Sequence, residues 1–76
     1  MEWKDRIEIN PEVAYGKPVI RGTRIAVEFV LELLAGGSNE AYILENYPHL
    51  RPEDIRACLA FASHLMHEYR AYPIPA

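Results

Sequence analysis

The side chains best suited to chemistry in this sequence are cations placed where an anion would be met. Arg51 and Arg56 bracket Pro52, Glu53 and Asp54, and arginine's planar fork of donors suits both a phosphate and the acceptor edge of a base. Lys17, Arg21 and Arg24 form a second basic cluster, of the kind that tracks a nucleic-acid backbone or enters a minor groove from an extended arm. Each cluster also admits a structural role. Arg56 can pair with Glu53, Asp54 or another carboxylate on a solvated face, and the arm cations can cap acidic helix faces such as Glu28. Glu53 and Asp54 place negative charge where a phosphate-reading head would sit.

Other chemistry is sparse. His64, His67 and Glu68 stand at i, i+3 and i+4, a spacing that holds a metal when further ligands are supplied. Nothing else in the chain supplies a clear third or fourth ligand, so neither a metal nor a cofactor is expected, and these are surface or dimer-contact histidines. Cys58 falls on an apolar stripe and reads as a small core residue rather than a nucleophile. There is no phosphate loop, nucleophile elbow or Cys-x-x-Cys pair, and a domain this small offers little concave volume, so catalysis is not expected.

The elements that must position these residues follow from local signals. Arg6-Ile7-Glu8-Ile9 alternates with period two and is broken by Asn10-Pro11, as a short half-buried strand is. Val19 to Ile25 reads as two β-prone pieces around Gly22-Thr23 joined by a type II′ turn. Such strands are too short to stand alone and must lie on the helices or pair with another chain. From Ala26 the period becomes helical, with Val27, Val30, Leu31 and Leu34 on one side, until Gly36-Gly37. Ser38 is the expected N-cap of a second helix through about Tyr47, with Ile43, Leu44 and Tyr47 inward. Pro52, followed by Glu53 and Asp54, starts a third and longest helix. Its expected stripe is Ile55, Cys58, Leu59, Ala62, Leu65, Met66 and Tyr69. Pro73 and Pro75 end it in an extended tail.

The spacing of Ile43, Tyr47, Leu50, Ile55 and Cys58 lays the third helix across the second, the arrangement of a helix-turn-helix. The expectation is a single, mainly α domain: an extended β arm over 1–25, a three-helix helix-turn-helix bundle over 26–70, and a tail over 71–76. With 8 Lys+Arg against 11 Asp+Glu, the net charge is −3, which excludes the strong non-specific nucleic-acid affinity of a basic domain. One cysteine excludes an internal disulfide, and no apolar run approaches a membrane span. A cytoplasmic location and no membrane role are the resulting expectations.

Three blocks carry a resemblance: Gly16-Lys17-Pro18-Val19-Ile20-Arg21-Gly22-Thr23-Arg24-Ile25, then Glu32-Leu33-Leu34-Ala35-Gly36-Gly37, then Tyr47 to Ala60. In this order and spacing they resemble the family called domain of unknown function 433. The resemblance implies a homeodomain-like, winged-helix-related fold with a small N-terminal β element. It also implies an antitoxin: an autorepressor that binds operator DNA and holds a PIN-domain nuclease toxin. A homodimer is expected because one such module has only a small contact area and paired half-sites multiply it. The DNA contacts would then be Arg51, Arg56, Lys17, Arg21 and Arg24, with Tyr69, Tyr72 and Ile74 as partner-binding residues. The alternative is a protein-protein interaction module of the same fold. Ala26 stands where the family commonly has proline, and Arg51 where it commonly has a Thr or Ser cap.

Overall fold

The computed structural model describes residues 2–68. The partner-binding candidates Tyr69, Tyr72 and Ile74 and the 71–76 tail lie outside them. The arm opens with a 3-10 turn at Trp3–Asp5 and enters strand β1, Ile7–Glu8. β1 pairs antiparallel with β2, Val19–Ile20, in the register Ile7↔Ile20 and Glu8↔Val19. The expected alternation is cut short by Asn10-Pro11, so Ile7 is buried whereas Ile9 is exposed.

Between the strands, Ala14, Tyr15 and Gly16 form one left-handed turn. Ala14 (φ 51°) and Tyr15 (φ 58°) adopt a backbone that disfavours a Cβ, and Tyr15 is fully exposed. The turn after β2 differs from expectation. Thr23 N–H donates to the Ile20 carbonyl at 2.9 Å, and the residue with positive φ is Gly22 (φ +83°), third of the four. That is type II geometry, not II′, which would need its glycine one place earlier. The Thr23 hydroxyl donates to the same carbonyl and accepts from Ile25 N–H. The return is real but minimal: Ile20 N–H donates to the Ile25 carbonyl, and Val19 bridges to Ala26.

Helix α1 spans Val27–Ala35. Its cap residue Ala26 offers no oxygen, but the orphan N–H of Val27 finds the Pro18 carbonyl at 2.9 Å, so the arm does the capping. Val27 and Val30 are buried, with Leu31 and Leu34 partly so. The helix closes when Gly37 (φ +102°) donates to Leu34 and Ser38 N–H donates to Leu33, the paired bonds of a Schellman ending. Ser38 is therefore committed to ending α1. The N-cap of α2, Glu40–Asn46, is Asn39, whose Oδ1 accepts from Tyr42 N–H at 2.8 Å. This corrects the expected Ser38 cap by one residue.

Helix α3 spans Pro52–Glu68 and crosses α1, α2 and the arm. Ile43, Leu50, Ile55 and Cys58 are all buried and Tyr47 packs on the same cluster, which is the helix-turn-helix crossing. The buried stripe of α3 is rotated and shorter than the periodicity suggested. Ala57 and Phe61 are buried, whereas Leu59, Leu65 and Met66 are exposed. The arm accounts for the rotation: Trp3 packs edge-on against Phe61 at 4.8 Å and draws that face of α3 inward, leaving Leu59 outside. Length accounts for the shortening, since nine residues of α1 cover about 14 Å and seventeen of α3 reach about 26 Å. The molecule is a mainly α three-helix bundle of helix-turn-helix type with a short β element at its N-terminus. No helix among the described residues is long and apolar enough to cross a membrane.

Candidate nucleic-acid interface

The leading end of α3 is where the sequence placed both cations and acids. Pro52 takes the first helical position, leaving Arg51 as the N-cap, a residue with no capping oxygen. Asp54 compensates from the third position: its Oδ2 accepts the Arg51 backbone N–H at 2.9 Å, the acid half of a capping box. Its other oxygen, Oδ1, accepts from Arg6 Nη1 at 3.0 Å, across 48 residues of chain. Arg6 Nη2 also lies 3.9 Å from Glu53. Asp54 is only 7% exposed, so the carboxylate expected to repel a phosphate is turned inward and neutralised by the arm.

Arg6 was not among the candidate residues. Asp three places after the cap signals the bond to Arg51 N–H, but nothing local in the sequence points from Arg6 to Asp54. The consequence for the candidates is direct. Arg51 and Arg56 are both exposed, and among the described residues neither guanidinium makes a hydrogen bond or ion pair. Arg56 therefore does not pair with Glu53 or Asp54.

The arm cations divide. Lys17 Nζ lies 2.6 Å from Glu28 on α1, and that hydrogen bond raises the lysine's pKa. Arg21 is pinned from behind, Nε donating to the Asp5 carbonyl and Nη2 to that of Lys4, each at 3.2 Å, with Glu8 at 4.0 Å. Arg24 is exposed and makes no polar contact among the described residues. Arg21 and Arg24 share a concavity of about 550 Å³ with Thr23 and His49, which brings the Gly22 turn beside the loop preceding α3.

The remaining candidates sit in packing roles. Cys58 is buried; burial above all, then the charge of Asp54, pushes its thiol from an ordinary 9.0 up to about 12. The thiolate that nucleophilic chemistry requires is thus disfavoured. The His64 ring lies 5.3 Å from Trp3, which packs edge-on against Phe61 at 4.8 Å. Among the described residues no three His, Cys, Asp or Glu side chains gather as a metal site would need. A second concavity, of about 240 Å³ and nearly all apolar, runs between α1 and α3, lined by Val27, Leu31, Phe61 and Leu65 with the Lys17–Glu28 pair at its rim.

The described elements match a known family model. Residues 7–62, from β1 through the buried part of α3, fit the family described as "Protein of unknown function (DUF433)". The chain belongs to the DUF433 family. An uncharacterized protein, y4eO, of Sinorhizobium fredii is 34% identical to this DUF433 chain over 59 residues. The match covers 78% of this chain and 27% of the relative, so the chain spans about a quarter of that protein's length. The crystal structure of a DUF433 member from Anabaena variabilis superposes with a TM-score of 0.78 at 31% identity. That superposition covers 86% of this chain and 64% of the other.

Proposed function

We propose that this DUF433 domain binds duplex DNA with the leading end of α3. The supporting observation is the fate of the two acids. Arg6 and the Arg51 N–H absorb Asp54, and Arg6 draws on Glu53, so the Arg51 and Arg56 side chains are exposed and have no carboxylate partner among the described residues. Arg51 at the helix start suits a phosphate, and Arg56, one turn on, suits a base edge in the major groove. The module is small, so it works as a homodimer that doubles its contacts on paired half-sites.

The antitoxin reading extends this one, with a PIN-domain nuclease as the protein partner. Its support is the family resemblance together with the apolar groove between α1 and α3. Leu65 in that groove follows Arg56 by nine residues, about two and a half helical turns. A protein bound there would leave the leading end of α3 uncovered.

Titrating labelled duplex from the region upstream of the coding sequence tests the reading. Affinity should fall steeply with salt, and Arg51→Ala with Arg56→Ala should abolish binding while the urea midpoint holds. Each lost phosphate contact lowers the salt slope by about 0.9, and a lost bidentate base contact costs about 1–3 kcal/mol. Absence of any complex at low salt removes the DNA reading. It would leave an interaction module built on the apolar groove.

A further inference from the structure

The geometry points to a phosphate seat in the concavity between the Gly22 turn and the loop that precedes α3. Arg21, Gly22, Thr23, Arg24, Ile25 and His49 line it. In a chain with 11 acids against 8 Lys and Arg, the lining holds two arginines, a histidine and no carboxylate, with Glu8 behind Arg21 at 4.0 Å.

The roles of the wall residues differ. The Arg21 guanidinium is fixed by two backbone carbonyls and shares its charge with Glu8 at 4.0 Å, so it shapes the wall and leaves the ligand chiefly to Arg24 and His49. The Arg24 fork is uncommitted among the described residues and can close on two phosphate oxygens. The exposed His49 imidazole keeps a ring N–H donor in either protonation state. The Thr23 hydroxyl is taken by the Ile20 carbonyl and Ile25 N–H, which holds the turn in shape and leaves the ligand to the cations.

Two features place this seat on a nucleic-acid strand. It is formed jointly by the arm and by the loop that ends at Arg51, so a phosphate held there lies beside the strand that the head of α3 meets. It is also open to solvent, as a contact to a passing backbone requires. The assignment to a phosphodiester rests on the duplex-binding reading; the affinity for phosphate oxygens does not. The contact is sequence-independent, which separates it from Arg56.

Two measurements on the full chain test the seat, with Arg24→Ala/His49→Ala as the variant. Both side chains are exposed, so the variant should keep the wild-type urea midpoint. Amide NMR spectra are first followed as inorganic phosphate is added against sodium chloride of equal ionic strength. The expected result is shifts centred on Thr23, Arg24 and His49 that the variant lacks; no shift, or shifts spread evenly over the chain, overturns the seat. Duplex affinity is then compared on upstream and scrambled sequences. The variant should lose about tenfold on both alike, with the salt slope lowered by about 1–2. Wild-type affinity and slope in the variant also overturn the proposal. Localised phosphate shifts with no duplex binding by the wild type keep the seat, assign it to a free phosphate-bearing ligand, and remove the DNA reading alone.

Discussion

Among the described residues two cations tie the arm to the helices, Lys17 through Glu28 and Arg6 through Asp54 and Glu53, and the longer contact, Arg6 to Asp54, holds more than the shorter one from Lys17. Lys17 and Glu28 approach to 2.6 Å, but their side chains are 59% and 56% exposed. Arg6 and Asp54 stand 3.0 Å apart, with the carboxylate nearly out of water and its second oxygen on a backbone N–H. An exposed pair exchanges water for a partner of similar worth and is screened by salt. A buried carboxylate has no water to return to, so each of its two donors is needed. Distance therefore says little about which contact fixes the arm. Asp54 also sets the start of α3 through its other oxygen on Arg51 N–H, so the carboxylate that anchors the arm is withdrawn from the proposed reading head.

The largest expected effect comes from breaking the buried pair. Asp54→Ala loses a capping bond and a partly buried ion pair, and should cost about 2–4 kcal/mol. For a domain of this size that is a large share of total stability. Urea denaturation measures it. Arg6→Ala should cost nearly as much, because it leaves Asp54 buried with one donor. A double-mutant cycle should show strong coupling, since Arg6, a third exposed, can rehydrate once Asp54 has gone. Additive effects would mean that the two residues stabilise the fold separately.

A smaller effect probes the same buried stripe one turn further along. Cys58 sits four residues after Asp54 and keeps its proton up to about 12 in the folded chain. The unfolded chain releases that proton near the ordinary 9.0, so above it the unfolded state binds fewer protons and stability falls as pH rises. The contribution is complete below pH 9 and lost as pH climbs toward 12. Wild type should lose on the order of 1 kcal/mol per pH unit more than Cys58→Ala in that window. Parallel pH profiles of the two urea midpoints would show that Cys58 is not shielded. The native thiol should likewise resist a thiol reagent at pH 8 and react once urea is added.

What the sequence made legible was what a few neighbouring residues decide. Pro52 and Gly36-Gly37 marked helix ends that the structure keeps, and Ile43, Leu50, Ile55 and Cys58 named the crossing. The errors came where a residue serves something distant. Ser38 is a good cap in isolation, but the ending of α1 claims it first. The α3 stripe depends on where the arm's Trp3 and α1 pack against it, which periodicity within α3 cannot contain. The same holds for the proposed site. Arg51 and Arg56 were legible as cations at a helix start. Their freedom depends on Arg6, 48 residues from Asp54, and the juxtaposition of Arg24 with His49 appears only when the arm folds back. The left-handed backbone at Ala14 and Tyr15 has no sequence signal beyond the glycine after it.

The smallest expected effect is also the one on which the contrast between the two pairs turns. Lys17→Ala and Glu28→Ala should each leave the urea midpoint near that of the wild type, and their double-mutant cycle should show no coupling beyond error. The raised pKa of Lys17 reflects a hydrogen bond made in water's presence, where the ordering of two long side chains offsets most of the gain. Salt sharpens the comparison. At about 1 M the screening length falls to about 3 Å, so any residual Lys17–Glu28 coupling seen at low salt should vanish while that of Arg6–Asp54 persists. Should the Lys17 cycle couple as strongly as the Arg6 cycle, burial would not be what separates the pairs. The arm would then be held at both points alike, and the withdrawal of Asp54 from the head of α3 would lose its energetic basis.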